Sequence, residues 1–191
     1  TGTQLGSYGF DIPGASLTGM VSGLLRDTTV QRLRISSLQA QEINVDLLAL
    51  WADPRLCRHF HLALQSGSDA VLGRMRRRYD ATGYMEAVEE IRDSVPGASI
   101  TTDVIVGFPG ESDADFQRTL DLCDRVGFAA VHAFPYSVRP GTSAAYLKDK
   151  VSAETKSERM KALLESSKRQ ASLYRAGIVG ETRSVLWEGR R

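Results

Sequence analysis

Four polar residues lie in or just after two apolar segments in the middle of this 191-residue sequence. Gln65 and Ser66 end HFHLALQS, Asp103 lies within TTDVIVG, and Glu111 closes the following GFPGE turn. In parallel α/β folds, ligands bind where the carboxyl ends of strands meet. A glutamine amide beside a carboxylate suits a hydroxyl-rich or zwitterionic ligand, which predicts a binding site here. Ser66 and Ser68 could also cap the next helix, whose N-terminus would favour an anionic group.

A different chemistry could come from His59 and His61, which alternation places on one face of a strand. A His-x-His pair in a barrel can hold a metal ion for hydrolysis, so a metal-dependent barrel hydrolase is the alternative enzyme. However, both histidines begin their strand, at the end opposite to barrel active sites. His132 is the one histidine left to complete a ligand set. We therefore favour the interpretation that His59 and His61 pack in the core.

Two further segments carry candidate binding groups. Four arginines fall between positions 74 and 78, and at helical spacing at least one should face a pocket or an ion pair. The alternative for these arginines is a solvated basic face. The segment VHAFPYSVRPGT could offer backbone amides to a purine edge, although core packing of Phe134 and Tyr136 is the simpler interpretation.

The elements that would position these residues alternate between helices and strands. The predicted helices cover 16–26, 43–52, 69–77, 82–94, 113–126 and 152–176, and the predicted strands cover 30–36, 59–65, 99–106, 129–135 and TRSVLWEG. Such alternation favours parallel βαβ units. The fold class is therefore α/β, a partial (β/α) TIM-like barrel followed by a long amphipathic helix.

Composition excludes several classes of protein. Hydrophobic residues make up 42% and charged residues 25%, which is typical of a globular domain. The sequence has no apolar run of membrane-spanning length and no signal-peptide pattern at its start. Cys57 and Cys123 are far apart and form no CxxC pair, so we expect neither a metal site nor a disulfide framework. We expect a reducing, cytoplasmic location and no membrane partner.

Charge is unevenly distributed along the chain. Residues 1–147 carry 13 Lys+Arg against 17 Asp+Glu, a net charge of −4, whereas residues 148–191 carry 11 against 6, a net charge of +5. A basic terminal region suggests a polyanionic partner, although a solvated, charged helix explains it as simply.

Together, the segments LQSGSDAVLGRMRRRY, DVIVGFPGES and FPYSVRPGT and the long helix resemble the radical S-adenosylmethionine methylthiotransferases. The resemblance covers nearly the whole chain, and its specificity comes from the spacing of the segments. TGTQLGSYG and RLRISSLQAQEI resemble most the subgroup that acts on threonylcarbamoyladenosine beside the tRNA anticodon. The resemblance implies a radical SAM barrel, S-adenosylmethionine as cofactor and tRNA as partner.

The resemblance also implies binding roles for single residues, and no catalytic acid or base. Gly2 and Thr3 match the turn near the methionyl amino group of the cofactor. Ser37 and Gln39 match a ribose contact, although many relatives have Glu at the second position. The remaining implied contacts are Gln65, Ser66, Arg77 and Asp103 for the ribose and carboxylate, and Phe134, Tyr136 and Ser137 for the adenine.

The family's chemistry needs two [4Fe–4S] clusters, one held by a CxxxCxxC loop that this sequence lacks. The resemblance therefore implies a fragment that does not catalyse alone. We predict a partial radical SAM domain at 1–147, a connecting helix at 148–179 and, at 180–191, the first strand of an RNA-binding TRAM domain. The exposed edge of a truncated barrel could form a homodimer. A non-catalytic RNA-binding relative is the second alternative.

Overall fold

The computed structural model describes residues 5–186 and 189, and its centre is a parallel sheet covered by helices. The strands are β1 (His59–His61), β2 (Ser99–Val106) and β3 (Ala130–Pro135). The helices are α1 (Leu17–Asp27), α2 (Val45–Leu48), α3 (Asp69–Arg74), α4 (Ala81–Ser94), α5 (Asp113–Val126) and α6 (Ala153–Gly177). Short 3-10 helices cover Leu5–Ser7, Ala40–Glu42, Ala49–Ala52 and Ser143–Tyr146.

The strand order is β1-β2-β3, and both pairs are parallel, with His59 opposite Ser99 and Thr101 opposite Ala130. Parallel neighbours bring their carboxyl ends to one edge of the sheet. This confirms the predicted α/β class and the partial barrel with a long C-terminal helix. None of the described helices is long and apolar enough to cross a membrane.

Local signals determine α5, the helix between β2 and β3. Ser112 caps its N-terminus by accepting a hydrogen bond from the Asp115 backbone N–H, and the Asp115 carboxylate accepts one from the Ser112 backbone N–H. Gly127 ends the helix in the left-handed region, with a φ of 61°. Leu122 and Cys123 lie on its buried face. The predicted bounds, 113–126, are therefore confirmed.

The predicted strand 30–36 is wrong as a regular strand. Two isolated parallel bridges replace it, between Leu33 and Leu56 and between Leu38 and Leu62. Ser37, at a φ of 62°, interrupts the extended backbone just before the second bridge. The segment still pairs with the chain around β1, although it adds no continuous strand to the sheet.

Three other predicted elements differ in length or type. The helix at 43–52 splits into α2 and a 3-10 turn, and the stretch at 69–77 is helical only to Arg74. The predicted terminal strand is absent from residues 182–186, which have no strand alongside them to share hydrogen bonds, and residues 187 and 188 lie outside the described part. The domain boundaries stay predictions.

The chain after β1 contains one extra residue relative to β2. The Leu62 N–H donates to the Thr101 carbonyl, whereas the next such bond to β2 runs from Gln65 to Asp103. Between these two bonds the chain after β1 advances by three residues while β2 advances by two, which defines a β-bulge. Thr102 Oγ1 accepts from the Leu64 N–H at 2.9 Å and donates to the Leu62 carbonyl at 2.7 Å. Because of this bulge, the predicted strand 59–65 forms a regular strand only over His59–His61.

Two buried tyrosines also donate hydrogen bonds to carbonyl groups of this bulge. The Tyr84 hydroxyl donates to the Leu62 carbonyl at 2.8 Å, and the Tyr79 hydroxyl donates to the Ala63 carbonyl at 2.8 Å. Burial raises the pKa of Tyr79 to about 12, so its hydroxyl remains a donor at neutral pH. Helix α4 and the segment before it therefore fix the backbone that leads to Gln65.

We predict that Gly67→Ala destabilises the fold. A Cβ at position 67 would lie 2.7 Å from both the Arg118 carbonyl oxygen and the Thr119 Cα of α5. Helix α5 would have to move away, at a cost of about 1–3 kcal/mol in the free energy of unfolding. Urea denaturation followed by circular dichroism measures this cost.

Gly73→Ala is the matched control, because a Cβ there meets no atom within 4 Å and the residue lies inside α3. Alanine in a helix should stabilise by roughly 0.5–1 kcal/mol. Equal effects of the two substitutions would contradict the close approach of the loop to α5.

Candidate functional site

A cleft of about 520 Å³ lies at the carboxyl ends of the strands. It brings together six residues named from the sequence: Gln65, Arg77, Asp103, Phe134, Tyr136 and Ser137. The other residues that line it are Ile105, Phe108, Pro135, Arg139, Thr142 and Ala144. The predicted convergence of strand ends on one site therefore matches the geometry of the sheet.

Gln65 lies at the floor of the cleft in an unusual backbone conformation. Its φ is 65°, and the Ser66 N–H donates to the Leu64 carbonyl at 2.8 Å, which closes a three-residue turn centred on Gln65. Turns of this kind are rare and strained for a residue with a Cβ. Gln65 is 8% exposed, and within the described residues its side-chain amide has no hydrogen-bond partner. Its donor and acceptor are therefore available to a ligand.

Asp103 contributes a carboxylate from the middle of β2. One oxygen, Oδ1, lies 3.1 Å from Nε2 of His61 on the neighbouring strand. The other oxygen has no partner within the described part of the chain. His61 thus fixes the orientation of a carboxylate that lines the cleft.

The two histidines of β1 are engaged by other side chains. The Arg34 guanidinium donates to Nδ1 of His59 at 3.1 Å, and Thr101 Oγ1 lies 3.1 Å from its Nε2. Burial, together with the charge of Arg34, lowers the pKa of His59 to about 4. The described residues contain no cluster of three or more His, Cys, Asp or Glu side chains arranged for a metal ion. The alternative of a His59–His61 metal site is wrong, because Arg34 occupies the lone pair that a metal would need.

Arg77 reaches the cleft because α3 ends in a left-handed turn. Arg76 has a φ of 56°, its N–H donates to the Gly73 carbonyl, and the Arg77 N–H donates to the Leu72 carbonyl. This pair of bonds is a Schellman ending, with arginine where glycine is usual. The Nε of Arg77 is buried without a hydrogen-bond partner among the described residues. Of the four arginines, Arg77, which the resemblance assigned to the cofactor, is the one that lines this cleft.

Aromatic residues form the opposite wall of the cleft. The rings of Phe108 and Tyr136 meet edge to face, with centroids 5.1 Å apart, and the Tyr136 hydroxyl donates to the Ala144 carbonyl at 3.0 Å. Phe134 is 51% exposed, so its expected packing in the core is wrong. Its position near the edge of the sheet leaves an apolar face open to a flat ligand.

The other predicted contacts lie away from this cleft. Ser66 is fully buried against α5, with its hydroxyl 3.3 Å from that of Thr119. Ser37 is half-buried on the segment beyond β1. Gln39 begins a 3-10 turn, where its backbone N–H donates to Glu42 at 2.9 Å, and it lines a neighbouring cleft. Gly2 and Thr3 lie outside the described residues.

The sequence did not identify Arg159, which holds the turn after β2. Arg159 and Glu111 are 6% and 5% exposed, and Nη1 of Arg159 donates to Oε2 of Glu111 at 2.7 Å. The same carboxylate oxygen accepts from the Gly107 N–H at 2.8 Å. Glu111 therefore joins α6 to the turn that carries Phe108, and it does not face the cleft.

A pattern in the sequence could have revealed this arginine. The buried face of α6 consists of Arg159, Leu163, Ser166 and Gln170, which are spaced by three or four positions. Of the apolar residues of this long helix, Leu163 is fully buried and Met160 packs against the core, whereas Leu164 and Leu173 are 42% and 67% exposed. Polar residues that share a helical spacing with Leu163 are therefore the signal in the sequence for the packed face of α6.

Comparison with known proteins identifies the family. A family model described as the Radical SAM superfamily matches residues 28–123, which is half of the chain. The chain therefore belongs to the radical SAM superfamily, whose cofactors are S-adenosylmethionine and an iron–sulfur cluster.

Two curated relatives match nearly the whole chain. Threonylcarbamoyladenosine tRNA methylthiotransferase MtaB of Thermotoga maritima is 44% identical over 189 residues, which are 98% of this chain and 43% of that protein. tRNA-2-methylthio-N(6)-dimethylallyladenosine synthase of Geobacter sulfurreducens is 40% identical over 193 residues, again 98% and 43%. The resemblance to methylthiotransferases is confirmed, and the chain spans less than half the length of these relatives.

A solved structure supports the fold. Coproporphyrinogen III oxidase (HemN) of Escherichia coli, a radical SAM enzyme, superposes with a TM-score of 0.65 at 18% identity. The match covers 81% of this chain and 37% of that chain. At this identity the likeness concerns the barrel architecture alone.

We predict that Arg159→Met destabilises the chain by about 3–5 kcal/mol, because it leaves the Glu111 carboxylate buried without its cation. Burial already raises the pKa of Glu111, against the opposing effects of the Gly107 N–H and Arg159. The double variant Arg159→Met/Glu111→Gln should recover part of the loss. Chemical denaturation measures all three unfolding free energies.

Arg169→Met is the matched control on the same helix. Its ion pair with Asp124 is exposed, with side chains 57% and 50% accessible. Exposed pairs contribute about 0.2–1 kcal/mol. A loss at position 159 no larger than this would show that the buried pair does not hold the turn.

Proposed function

We propose that the protein is a radical SAM tRNA methylthiotransferase, which inserts a methylthio group into a modified adenosine of tRNA. The observation that carries this proposal is the 98% coverage of the chain at 44% and 40% identity by two such enzymes. The cleft supports it, because amide, guanidinium, carboxylate and aromatic groups converge there.

The residues of the cleft fit S-adenosylmethionine. The unpartnered Nε of Arg77 would donate to the methionyl carboxylate, since guanidinium groups pair well with carboxylates. The free oxygen of Asp103 and the amide of Gln65 suit the ribose hydroxyls. When bound beside a reduced cluster, the cofactor supplies the radical that activates the substrate.

Other residues shape the cleft around these contacts. His61 holds Asp103 through one carboxylate oxygen and thereby leaves the second oxygen for the ligand. Phe134, Tyr136 and Ser137 are proposed to contact the adenine, with Tyr136 held by its bond to the Ala144 carbonyl. None of these groups is assigned a proton transfer.

The clusters require thiolates from outside this sequence. Cys123 is buried, and burial raises its pKa to about 12, so it is unsuited to thiolate ligation. Two [4Fe–4S] clusters, a cytoplasmic location and a TRAM domain beginning near residue 180 remain parts of the proposal. Homodimer formation likewise stays a prediction.

The substrate that we propose is threonylcarbamoyladenosine. The Thermotoga relative that acts on it is 44% identical, against 40% for the Geobacter relative named for dimethylallyladenosine. Mass spectrometry of tRNA from a strain that lacks the gene decides between them. We expect loss of the methylthio derivative of threonylcarbamoyladenosine and retention of the dimethylallyl derivative.

Loss of the dimethylallyl derivative with retention of the threonylcarbamoyl derivative would instead assign the protein to the subgroup that acts on dimethylallyladenosine. Unchanged levels of both nucleosides would overturn the enzymatic proposal and favour the non-catalytic RNA-binding relative.

We predict that Arg77→Ala and Asp103→Ala each weaken binding of S-adenosylmethionine about tenfold to a hundredfold, as expected for a lost hydrogen bond to a charged group. Calorimetry on the full-length protein, reconstituted with iron and sulfide, measures this effect. Arg125→Ala, which removes an exposed arginine from the last turn of α5, is the matched control. Native affinity in both cleft variants would exclude these two contacts.

A further inference from the structure

One buried hydroxyl group joins the two segments that carry Gln65 and Arg77. Tyr79 lies in the link between α3 and α4, two residues after Arg77, and is 9% exposed. Its hydroxyl lies 2.8 Å from the Ala63 carbonyl oxygen and 3.1 Å from that of Leu64, and it donates its one proton to this pair. Leu64 directly precedes Gln65 in the chain. The hydroxyl thus connects two parts of the cleft that belong to different segments of the fold.

The Ala63 carbonyl depends on this hydroxyl more than its neighbour does. Among the described residues, the Ala63 carbonyl has no other hydrogen-bond donor. The Leu62 carbonyl, in contrast, accepts from both Tyr84 and Thr102. Without the hydroxyl of Tyr79, a half-buried carbonyl just before the strained turn would therefore lose its partner.

The segment that carries Arg77 is also constrained on both sides. The Arg77 N–H donates to the Leu72 carbonyl of α3 at 3.0 Å. Asp80 caps α4 by accepting from the Gly83 N–H at 2.7 Å. Burial raises the pKa of Tyr79 to about 12 although the positive charge of Arg77 acts against this rise, so the two groups lie near enough to interact. The position of Arg77 is therefore linked to that of the phenol ring.

We propose that Tyr79 is a positioning residue for cofactor binding, whose hydroxyl holds Gln65 and Arg77 at the separation that S-adenosylmethionine requires. This inference rests on the proposed function and adds a residue that does not itself line the cleft. A ligand that bonds to two side chains at once binds best when their relative position is set beforehand, because less freedom is then lost on binding. The effect of Tyr79 passes through these two contacts.

The test is a set of double-variant cycles in which calorimetry measures binding of S-adenosylmethionine to the full-length protein, reconstituted with iron and sulfide. We expect Tyr79→Phe to weaken binding about threefold to tenfold, as for one lost hydrogen bond. Because the hydroxyl sets one contact relative to the other, the same substitution should weaken binding less than about twofold in either the Gln65→Ala or the Arg77→Ala background. In the Phe134→Ala background, which alters the wall on β3, the full effect should remain.

Trp51→Phe is the matched control for stability. Trp51 is 6% exposed, and its Nε1 donates to the Cys57 carbonyl at 2.9 Å, before the start of β1. This substitution also removes a buried aromatic donor to a backbone carbonyl, but at the opposite end of the strands, so we expect native affinity for the cofactor. Urea denaturation of Tyr79→Phe and Trp51→Phe confirms that both variants fold and compares their losses of stability.

Kinetics give a readout that a general loss of stability would not produce. In turnover by the reconstituted protein, the KM of Tyr79→Phe for S-adenosylmethionine should rise by the same factor as the loss of affinity, while kcat changes less than about twofold. A fall in kcat at native KM would contradict a role in positioning the cofactor.

Native affinity in Tyr79→Phe would overturn the proposal. An equal loss in all backgrounds, or in Trp51→Phe, would overturn it as well, because either result would show that the hydroxyl acts through general stability. Absence of cofactor binding by the native protein would reject both the cleft contacts and this role. The nucleoside analysis of tRNA is independent of these measurements. A confirmed methylthio product with native affinity in Tyr79→Phe would reject the positioning role alone and leave the proposed function intact.

Discussion

The extra residue between Leu62 and Gln65 is the constraint on which the cleft depends. A regular strand would place position 65 in the ladder with its side chain on the alternating face. The bulge instead delays the bond to Asp103 by one residue and closes a strained turn around Gln65. Thr102 and Tyr84 make this backbone possible, because they satisfy groups that the ladder no longer pairs. The regular part of β1 therefore ends a few residues before Gln65, which lines the cleft.

A second constraint comes from far along the chain. Arg159 binds Glu111, 48 positions earlier, and the same carboxylate binds the Gly107 N–H. The turn after β2 is thus held from behind by α6, and Phe108 stays against Tyr136 at the wall of the cleft. The long helix is part of the site's framework, although none of its residues lines the cleft.

Local chemistry explains which elements were predictable. Ser112 and Gly127 mark the ends of α5 within the sequence itself, and the apolar run of β2 is equally local, so both bounds agree with the structure. The end of β1 depends on Thr102 and Tyr84 from other elements, and no pattern near position 62 contains that information. The same holds for Arg159, whose partner lies on another element. Five of the predicted contacts converge because they lie in or next to parallel strands, and Arg77 joins them through the turn that ends α3. Ser66 and Gln39 are adjacent in sequence to paired residues but bond elsewhere.

Several unusual features of the fold lie at the cleft. Gln65 has a positive φ and an unpaired amide, Arg77 has a buried Nε without a partner, and Asp103 has a free carboxylate oxygen, all within the described residues. The strained backbone of Gln65 and the unsatisfied buried Nε of Arg77 each cost roughly 1–3 kcal/mol of stability in the free protein. Among the described residues, the other buried side-chain nitrogen without a partner is Nε of Arg159, whose Nη1 is paired with Glu111. A ligand that bonds to the Arg77 Nε, the Gln65 amide and the free Asp103 oxygen would supply partners that the free protein lacks, and this is the physical argument for a binding site at the cleft.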